Sequence, residues 1–320
     1  MYGIPGETSI AAILGPTAVG KSRIAVELAS MLPLEIISVD SMQVYRGMDI
    51  GTAKPDEEQR RRAVHHMIDV VDPWHDYSVA LFQEDARRTA VEIAARGNLP
   101  MLVGGTGLYF EAVVFDLRFP PGGSDSRLRS DIEEWASRDP DGLRASLAEV
   151  DPEFARGEGM GNLRRVVRAM EVYRLTGRPF SSFQVKRGRQ RPLYRYSGVV
   201  LTMPREELYR RIDLRVDEMF QDGLVEEVRG LLSGGGLSRT AAQALGYREV
   251  IEHLDRGMTL EETITNVKRR SRNYAKRQLT WFRRIPGLLW LEAGRERGRA
   301  GDYDVALRIC DHFLSELAPW

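Results

Sequence analysis

The chain has 320 residues, 42% hydrophobic and 29% charged, so it is long enough to build one large domain or two domains around a sizeable core. Its 46 basic and 46 acidic side chains give a formal net charge of zero, which favours a soluble protein and does not exclude a local nucleic-acid surface. The single cysteine, Cys310, excludes an internal disulfide and a cysteine zinc site, and no stretch approaches 18 consecutive apolar residues. We therefore expect a cytoplasmic protein without a membrane partner.

Three short apolar runs predict the first strands. They are SIAAIL (9–14), LEIISV (34–39) and LPMLVGG (99–105), and helical patterns lie between them. This alternation predicts βαβ units with a buried parallel sheet. Ligands of such folds bind at the carboxyl ends of the strands, so the loops after these three runs are the candidate site.

A cluster of Pro, Gly and Ser at 119–127 predicts a domain boundary. The following residues, roughly 124–184, have helical spacing, and SGVVLTM (197–203) predicts a strand that returns to the sheet. We therefore expect a helical insertion domain at 122–195 within an α/β core formed by 1–121 and 196–320.

The C-terminal part of the core is predicted to be mainly helical. A helical pattern covers 206–232 with a break at Gly223, and Thr259 with Glu262 forms a capping box that begins a long helix. GLLWLE (287–292) predicts a last strand.

The predicted 206–232 helix carries two charge pairs at helical spacing. Asp213 and Asp217 lie one turn apart beside Arg211 and Arg215. An ion-pair ladder on a solvated helix face explains most of this pattern.

The loop after the first predicted strand carries a phosphate-binding motif. Gly15, Gly20, Lys21 and Ser22 fit G-x-x-x-x-G-K-[ST] between a strand and a helix. Backbone N–H groups, the lysine charge and the helix N-terminus would hold an anion, and the serine hydroxyl can bind Mg²⁺. The motif predicts a polyphosphate site, for a diphosphate or for a nucleotide such as ATP, in a P-loop NTPase-like α/β fold.

Two polar residues follow the other predicted strands. Asp40 is placed as an active-site carboxylate would be, although it could also cap the turn that begins at Ser41. Thr106 follows the third strand and is either a site residue or a helix cap.

A basic run in the last long helix predicts a nucleic-acid surface. The segment 268–284 reads KRRSRNYAKRQLTWFRR, with no acidic residue and with three aromatic ones. A solvated helix face is the alternative, but charge of one sign with interleaved aromatics favours binding of phosphates and unpaired bases. The helix around 164–168 and the loop 186–195 are also rich in arginine, so we expect RNA to contact both regions.

Taken together, these segments resemble the tRNA dimethylallyltransferase family of bacterial type, over nearly the whole chain. The resemblance is carried by GPTAVGKS (15–22), ISVDSMQVYRGMDIGTAKP (37–55), HHMIDVVDP (65–73), YSVALF (77–82), LVGGTGLY (102–109), LRRVVRAMEVY (163–173), ALGYRE (244–249) and AKRQLTWFR (275–283). The second of these segments is much more specific than the phosphate-binding motif. With one cysteine, the chain cannot form the Cys/His zinc finger that eukaryotic relatives append.

The resemblance implies transfer of a dimethylallyl group from dimethylallyl diphosphate to N6 of the adenosine 3′ of the anticodon in tRNA, with diphosphate released. Adenine N6 is a poor nucleophile, so a carboxylate that accepts its proton assists the reaction, and we assign this catalytic role to Asp40. Mg²⁺, bound in part by Ser22, is the expected cofactor. We expect a monomer without an obligate protein partner.

The same resemblance implies two sets of binding residues. Diphosphate is expected at Gly15, Pro16, Thr17, Ala18, Val19, Gly20, Lys21, Ser22 and Arg211. Contact with tRNA is expected at Asp40, Ser41, Met42, Gln43, Thr106, Arg129, Arg164, Arg165, Val166, Val167, Arg168, Gln243, Ala244, Leu245, Gly246, Tyr247, Arg248, Lys276, Arg277, Gln278, Leu279, Thr280, Trp281, Phe282 and Arg283.

Three alternative functions remain at this point. An adenylate isopentenyltransferase would use a free nucleotide as acceptor and would not need an extended tRNA surface. A P-loop small-molecule kinase would transfer phosphate from ATP. A non-catalytic RNA-binding protein would keep the phosphate-binding motif only as a relic, which the intact Lys21, Ser22 and Asp40 disfavour.

Overall fold

The structure is a computed structural model that describes residues 8–120, 125–183, 191–293 and 299–318. The chain divides into two compact units, one formed by Met1–Phe115 with Pro192–Trp320 and the other by Asp116–Arg191. The predicted insertion, 122–195, overlaps the second unit. Part of that prediction, including residues 186–190 of the basic loop, lies outside the described residues.

The first unit contains one six-stranded sheet in the described part of the chain. Its strands are β1 (Ser9–Leu14), β2 (Leu34–Ser38), β3 (His65–His66), β4 (Leu99–Gly104), β5 (Arg195–Thr202) and β6 (Leu288–Glu292). They lie in the order β3-β2-β4-β1-β5-β6, and every neighbouring pair is parallel. The predicted parallel sheet and its five strands are confirmed. Strand β3 was not predicted, because its two histidines form no apolar run.

Thirteen α-helices are described. They are α1 (Lys21–Ala29), α2 (Glu57–Arg62), α3 (Val79–Ala95), α4 (Gly107–Val114), α5 (Ser126–Arg138), α6 (Pro140–Val150), α7 (Pro152–Ala155), α8 (Leu163–Thr176), α9 (Arg205–Gln221), α10 (Leu224–Ser233), α11 (Tyr247–Arg256), α12 (Leu260–Phe282) and α13 (Arg299–Leu317). The predicted break at Gly223 separates α9 from α10, and the predicted capping box of Thr259 and Glu262 begins α12.

Both faces of the sheet are covered, which explains why its central strands are apolar throughout. One face packs against α1, α9 and α13, and residues such as Ile13, Val26 and Phe313 belong to this core. Side chains alternate along a strand, so Ile10, Ala12 and Leu14 point to the other face, where α3 packs on β2 and β4. The site at the strand ends therefore rests on a rigid scaffold.

The second unit has a small core of its own. Leu143, Leu147, Val166 and Met170 bury their side chains between α5, α6 and α8. Helix α8 ends at Gly177, which adopts the left-handed conformation expected at a helix C-terminus. In the described residues of the whole chain, no helix is both long and apolar enough to cross a bilayer.

We predict that Glu35 makes stability depend on acid pH. Its buried carboxylate on β2 accepts hydrogen bonds from Arg96, Asn98 and His66. The bond from Arg96 is the main cause that lowers the pKa of Glu35 from 4.5 to about 2. Because the folded-state pKa lies below the unfolded value, this stabilisation is present above about pH 4.5 and is lost as the pH falls towards 2.

Glu35→Gln should therefore lower the free energy of unfolding at pH 7 by about 2 kcal/mol. It should also reduce the further loss between pH 4.5 and 2, as measured by urea denaturation at each pH. Glu84→Gln, at an exposed position of α3, is the control. An acid profile that Glu35→Gln leaves unchanged would contradict the prediction.

Candidate active site

The candidate site lies at the carboxyl ends of three neighbouring strands. β4 lies between β1 and β2 in the sheet. The P-loop (residues 15–22) follows β1, the segment 40–43 follows β2, and residues 105–106 follow β4. The fold thus brings together the three loops that the sequence predicted to form the site.

The P-loop is arranged to hold an anion. Its last turn leads directly into α1, so the first N–H groups of this helix face the loop without a side-chain cap at Gly20. Lys21 Nζ donates a hydrogen bond of 2.7 Å to the carbonyl of Pro16, which folds the ammonium group back over the loop. Burial and the nearby Arg215 lower the pKa of Lys21 from 10.5 to about 7, although Asp40 opposes the shift. A bound anion would reduce the electrostatic repulsion between Lys21 and Arg215.

Arg215 is a site residue that the sequence analysis missed. Its Nη1 donates a hydrogen bond of 3.1 Å to Thr17 Oγ1, across 198 positions of sequence. Burial lowers the pKa of this guanidinium, and Asp40 opposes the effect. Its helical spacing suggested a solvated ladder, and only the packing of α9 on α12 brings it to the P-loop.

Arg211, which the resemblance implies at the diphosphate, lies one turn earlier on α9. It is buried, and its Nε donates a hydrogen bond of 2.6 Å to Glu207 Oε1. A role at the diphosphate stays a prediction for Arg211, whereas Arg215 contacts the P-loop through Thr17.

Asp40 combines the two roles that the sequence left open. Its Oδ1 accepts a hydrogen bond of 2.9 Å from the backbone N–H of Met42, so it does cap the following turn. Its Oδ2 has no hydrogen-bond partner among the described residues. The carboxylate is therefore held in orientation through one oxygen, and the other can accept a proton.

The surroundings of Asp40 are polar but partly closed. Thr106 occupies the N-cap position of α4, yet its hydroxyl accepts a hydrogen bond of 3.3 Å from the N–H of Ser41 and does not cap the helix. Burial raises the pKa of Tyr274 to about 12, and the Asp40 carboxylate adds to this increase. Tyr274 thus stays a neutral hydrogen-bonding group beside the candidate base.

Gln278 connects two of the three loops. Its Oε1 accepts a hydrogen bond of 3.0 Å from the N–H of Thr17, and its Nε2 donates one of 2.9 Å to the carbonyl of Gly105. A Cβ atom on Gly105 would lie 2.0 Å from Nε2, so only glycine permits this approach. The resemblance implies Gln278 as a tRNA contact, but the structure gives its buried side chain a bridging role.

Several other residues implied in tRNA binding have buried side chains. RNA contact by these residues stays a prediction, because their side chains pack in the interior of the unit to which they belong. They are Val166, Val167, Ala244, Tyr247 and Phe282.

A second group is exposed and available to a partner. It comprises Arg164, Arg165, Gln243, Lys276, Arg277, Thr280 and Arg283.

Two further arginines of the predicted RNA surface share one buried acid. Arg129 and Arg168 contact Glu171 Oε2 at 2.9 and 2.8 Å. The carboxylate is fully buried, so it fixes the two guanidinium groups side by side on α5 and α8. This arrangement leaves less positive charge at that surface than the sequence suggested.

The predicted solvated ladder on α9 is wrong. Asp213 binds Arg272 at 2.6 Å and Asp217 binds Lys268 at 2.6 Å, so both acids face α12. Arg270 pairs with Glu249 in the same way. Three cations in the first half of the basic run therefore hold helices together, and most of the exposed cations lie in its C-terminal half.

A cleft of about 600 Å³ opens beside Arg215. Its walls come from the end of α9, including Met219, and from the loop after β2, including Ile50 and Ala53. Most of its lining residues are charged, with five carboxylates and three cations, and Arg215 among the cations also contacts the P-loop. Within the described residues, no group of three or more His, Cys, Asp or Glu side chains could hold a metal ion.

Comparison with known proteins gives consistent matches over most of the chain. A sequence model of the IPP transferase family matches residues 43–285, and one described as isopentenyl transferase matches residues 8–67. The chain is 50% identical to the tRNA dimethylallyltransferase of Moorella thermoacetica over 90% of its own length and 91% of the relative's length. Its identity with the enzyme of that name from Carboxydothermus hydrogenoformans is 46%, over 89% and 92%.

Two solved structures are also similar. The full-length tRNA isopentenylpyrophosphate transferase of Bacillus halodurans matches with a TM-score of 0.70 and 40% identity, over 97% of this chain and 98% of that chain. A eukaryotic dimethylallyltransferase acting on tRNA matches with a TM-score of 0.73 and 28% identity, over 98% of this chain and 77% of that chain.

We predict that Lys21→Met abolishes most pyrophosphate binding and stabilises the empty protein. Because the folded-state pKa of Lys21 is about 7 and its ordinary value is 10.5, the charged side chain destabilises the fold below about pH 7. This cost decreases as the pH rises from 7 to 10.5. Thermal unfolding at pH 7 should show a higher Tm for the empty variant and a much smaller increase on adding pyrophosphate. Lys276→Met, on the exposed side of α12, should keep the full increase, and an equal increase in Lys21→Met would refute the prediction.

We also predict that Arg215 and Arg211 differ in their effects. Arg215→Met should weaken pyrophosphate binding about tenfold or more, because it removes a charge beside the P-loop, as titration calorimetry would measure. Arg211→Met should mainly lower Tm, because it removes a buried guanidinium and its hydrogen bond to Glu207, which keeps only its bonds from Arg210 among those seen here. The reverse pattern would return the diphosphate role to Arg211.

Proposed function

The chain belongs to the IPP transferase family, and from this premise we propose that it transfers a dimethylallyl group from dimethylallyl diphosphate to N6 of the adenosine 3′ of the anticodon in tRNA. The observation that carries the proposal is the pairing of an anion site with a carboxylate at adjoining strand ends. Lys21 belongs to the P-loop and Arg215 contacts it through Thr17, and both are close enough to Asp40 for its charge to affect their pKa values. A leaving diphosphate and a proton acceptor therefore have sites on either side of one small space.

The residues support a direct substitution at the allylic carbon. The bond from this carbon to the diphosphate oxygen breaks as the bond to adenine N6 forms, and negative charge increases on the leaving group. The P-loop N–H groups, Lys21 and Arg215 stabilise that charge. The proton released from N6 goes to Asp40 Oδ2, while the hydrogen bond from Met42 to Oδ1 keeps the carboxylate aligned.

The acceptor base must leave its stack to reach Asp40. An adenine inside the anticodon loop is shielded by its neighbours, so we propose that it is flipped towards the strand ends. Exposed cations such as Lys276 and Arg277 on α12 would bind the RNA backbone.

Mg²⁺ is the proposed cofactor. The Ser22 hydroxyl, in the first turn of α1, has no hydrogen-bond partner among the described residues and is a hard oxygen donor of the kind Mg²⁺ accepts. Diphosphate oxygens would complete most of the shell, which fits a site built with few protein ligands. When bound, the ion would add positive charge at the leaving group.

We further propose that the protein acts in the cytoplasm as a monomer. The single cysteine suits a reducing compartment. A nucleotide such as ATP would fit the P-loop as a competitor of the diphosphate and would not act as a phosphate donor.

The test is a prenyl-transfer assay. The protein is incubated with Mg²⁺, labelled dimethylallyl diphosphate and either unmodified tRNA or AMP, and the label in each acceptor is measured. Label in tRNA alone supports the proposal. Label in AMP alone would instead indicate a nucleotide prenyltransferase, and phosphoryl transfer from ATP without any prenylation would indicate a kinase.

We predict that Asp40→Asn lowers the rate constant of prenyl transfer at least 100-fold, because loss of a general base has this effect. The Kd for tRNA should change less than threefold, as filter binding would measure. Asp255→Asn, at an exposed position of α11, should match the wild type in both assays. If Asp40→Asn lost tRNA binding but kept its rate per bound complex, Asp40 would be a binding residue only.

A further inference from the structure

Glu227, in the first turn of α10, binds the backbone of a loop that lies far away in sequence. Its Oε2 accepts hydrogen bonds from the N–H groups of Asp49 and Ile50 at 2.9 and 2.8 Å, and its Oε1 accepts one from Gly51 at 3.4 Å. Three successive N–H groups that converge on one carboxylate define the local conformation of the loop, because charged hydrogen bonds are stronger than neutral ones. We call residues 49–53 the anchored loop.

Tyr247 completes this arrangement from α11. Its hydroxyl donates a hydrogen bond to Glu227 Oε1, and its side chain is fully buried. The ring lies directly against the anchored loop, since a Cβ atom on Gly51 would be only 2.4 Å from Tyr247 Cε2. Tyr247 therefore orients the carboxylate and supports the loop at the same time.

The anchored loop in turn fixes Gln43. The Nε2 of Gln43 donates to the carbonyls of Thr52 and Ala53 at 3.2 and 3.3 Å, and its Oε1 accepts from Ser38 Oγ at 2.8 Å. Both amide hydrogens are used inside the protein. Gln43 thus joins the anchored loop to the end of β2, in the same turn as Asp40.

These contacts form one continuous connection from α10 and α11 to the candidate base. It passes from Glu227 through the anchored loop to Gln43, and from there to the turn in which Met42 holds Asp40 Oδ1. The anchored loop also supplies one wall of the cleft beside Arg215. A change in the position of the anchored loop would therefore move both Asp40 and one wall of this cleft.

We propose that Glu227 and Tyr247 are positioning residues for prenyl transfer, acting through the anchored loop on Asp40. The proposal deepens the proposed function and rests on it. It gives Tyr247, which the resemblance implies as a tRNA contact, a role inside the protein. Neither residue touches substrate in this assignment.

The experiment compares Glu227→Gln, Tyr247→Phe and the double variant with the wild type. Glu227→Gln places an NH₂ group where a carboxylate oxygen accepted hydrogen bonds, and Tyr247→Phe removes only the hydroxyl. Glu226→Gln, the exposed neighbour on the same helix, is the matched control. Single-turnover prenyl transfer and tRNA Kd are measured well below the Tm of each variant, and hydrogen exchange is followed at the amides of residues 49–51.

The single variants should each transfer the prenyl group about tenfold more slowly, with the tRNA Kd changed less than twofold. The double variant should be no slower than the worse single variant, because both act through one connection. Amides 49–51 should exchange faster in Glu227→Gln and should stay protected in Glu226→Gln.

Three results would overturn the proposal. Unchanged rates of prenyl transfer with a lower Tm would show that these contacts stabilise the fold and do not position Asp40. A higher Kd for tRNA with an unchanged rate of prenyl transfer would indicate that Tyr247 contacts RNA. Additive effects would show that the two residues act separately. If the wild type transferred no prenyl group, the proposed function would fail, whereas the exchange of amides 49–51 would still report whether Glu227 holds the loop.

Discussion

The site depends on a constraint imposed by one buried amide. Gln278 accepts a hydrogen bond from the P-loop at Thr17 and donates one to the carbonyl of Gly105. A buried amide left without partners costs about 1 to 3 kcal/mol, so α12 is stable in the register that satisfies both bonds. The same register allows Asp213 and Asp217 of α9 to meet their cations on α12, and α9 in turn carries Arg215 to Thr17. The positions of Arg215 and Gln278 at the P-loop thus follow from how α9 and α12 pack together.

The electrostatics of the empty site favour an anionic ligand. Burial lowers the pKa values of both Lys21 and Arg215, which means that the fold bears a cost for keeping two buried side chains charged. Asp40 offsets part of that cost. A diphosphate would offset more of it, and the negative charge that a diphosphate gains when its bond to the donor carbon breaks would be stabilised by the same cations.

The parts of the candidate site that could be located from the sequence are local motifs at the strand ends. The P-loop, Asp40 and Thr106 could be found because a buried apolar run followed by Gly or a polar residue is a short-range signal. Arg215, Gln278 and Glu227 could not be assigned in this way, because their roles depend on partners about 180 to 260 positions away in the chain. Charged residues at helical spacing give the same sequence pattern whether they face solvent or a neighbouring helix. The pattern on α9 was therefore assigned to a solvated face, although its acids face α12.

The 261 positions between Thr17 and Gln278 also bear on how the protein is made. A ribosome extends a chain at roughly 5 to 20 residues per second and releases the N-terminal part first. β1 and the P-loop therefore emerge early, but they lack α12 and the arginine of α9 until nearly the whole chain has been synthesised. A nascent or prematurely terminated chain would contain the P-loop without the two helices that pack beside it. The candidate site is therefore complete only in chains whose synthesis has passed Gln278.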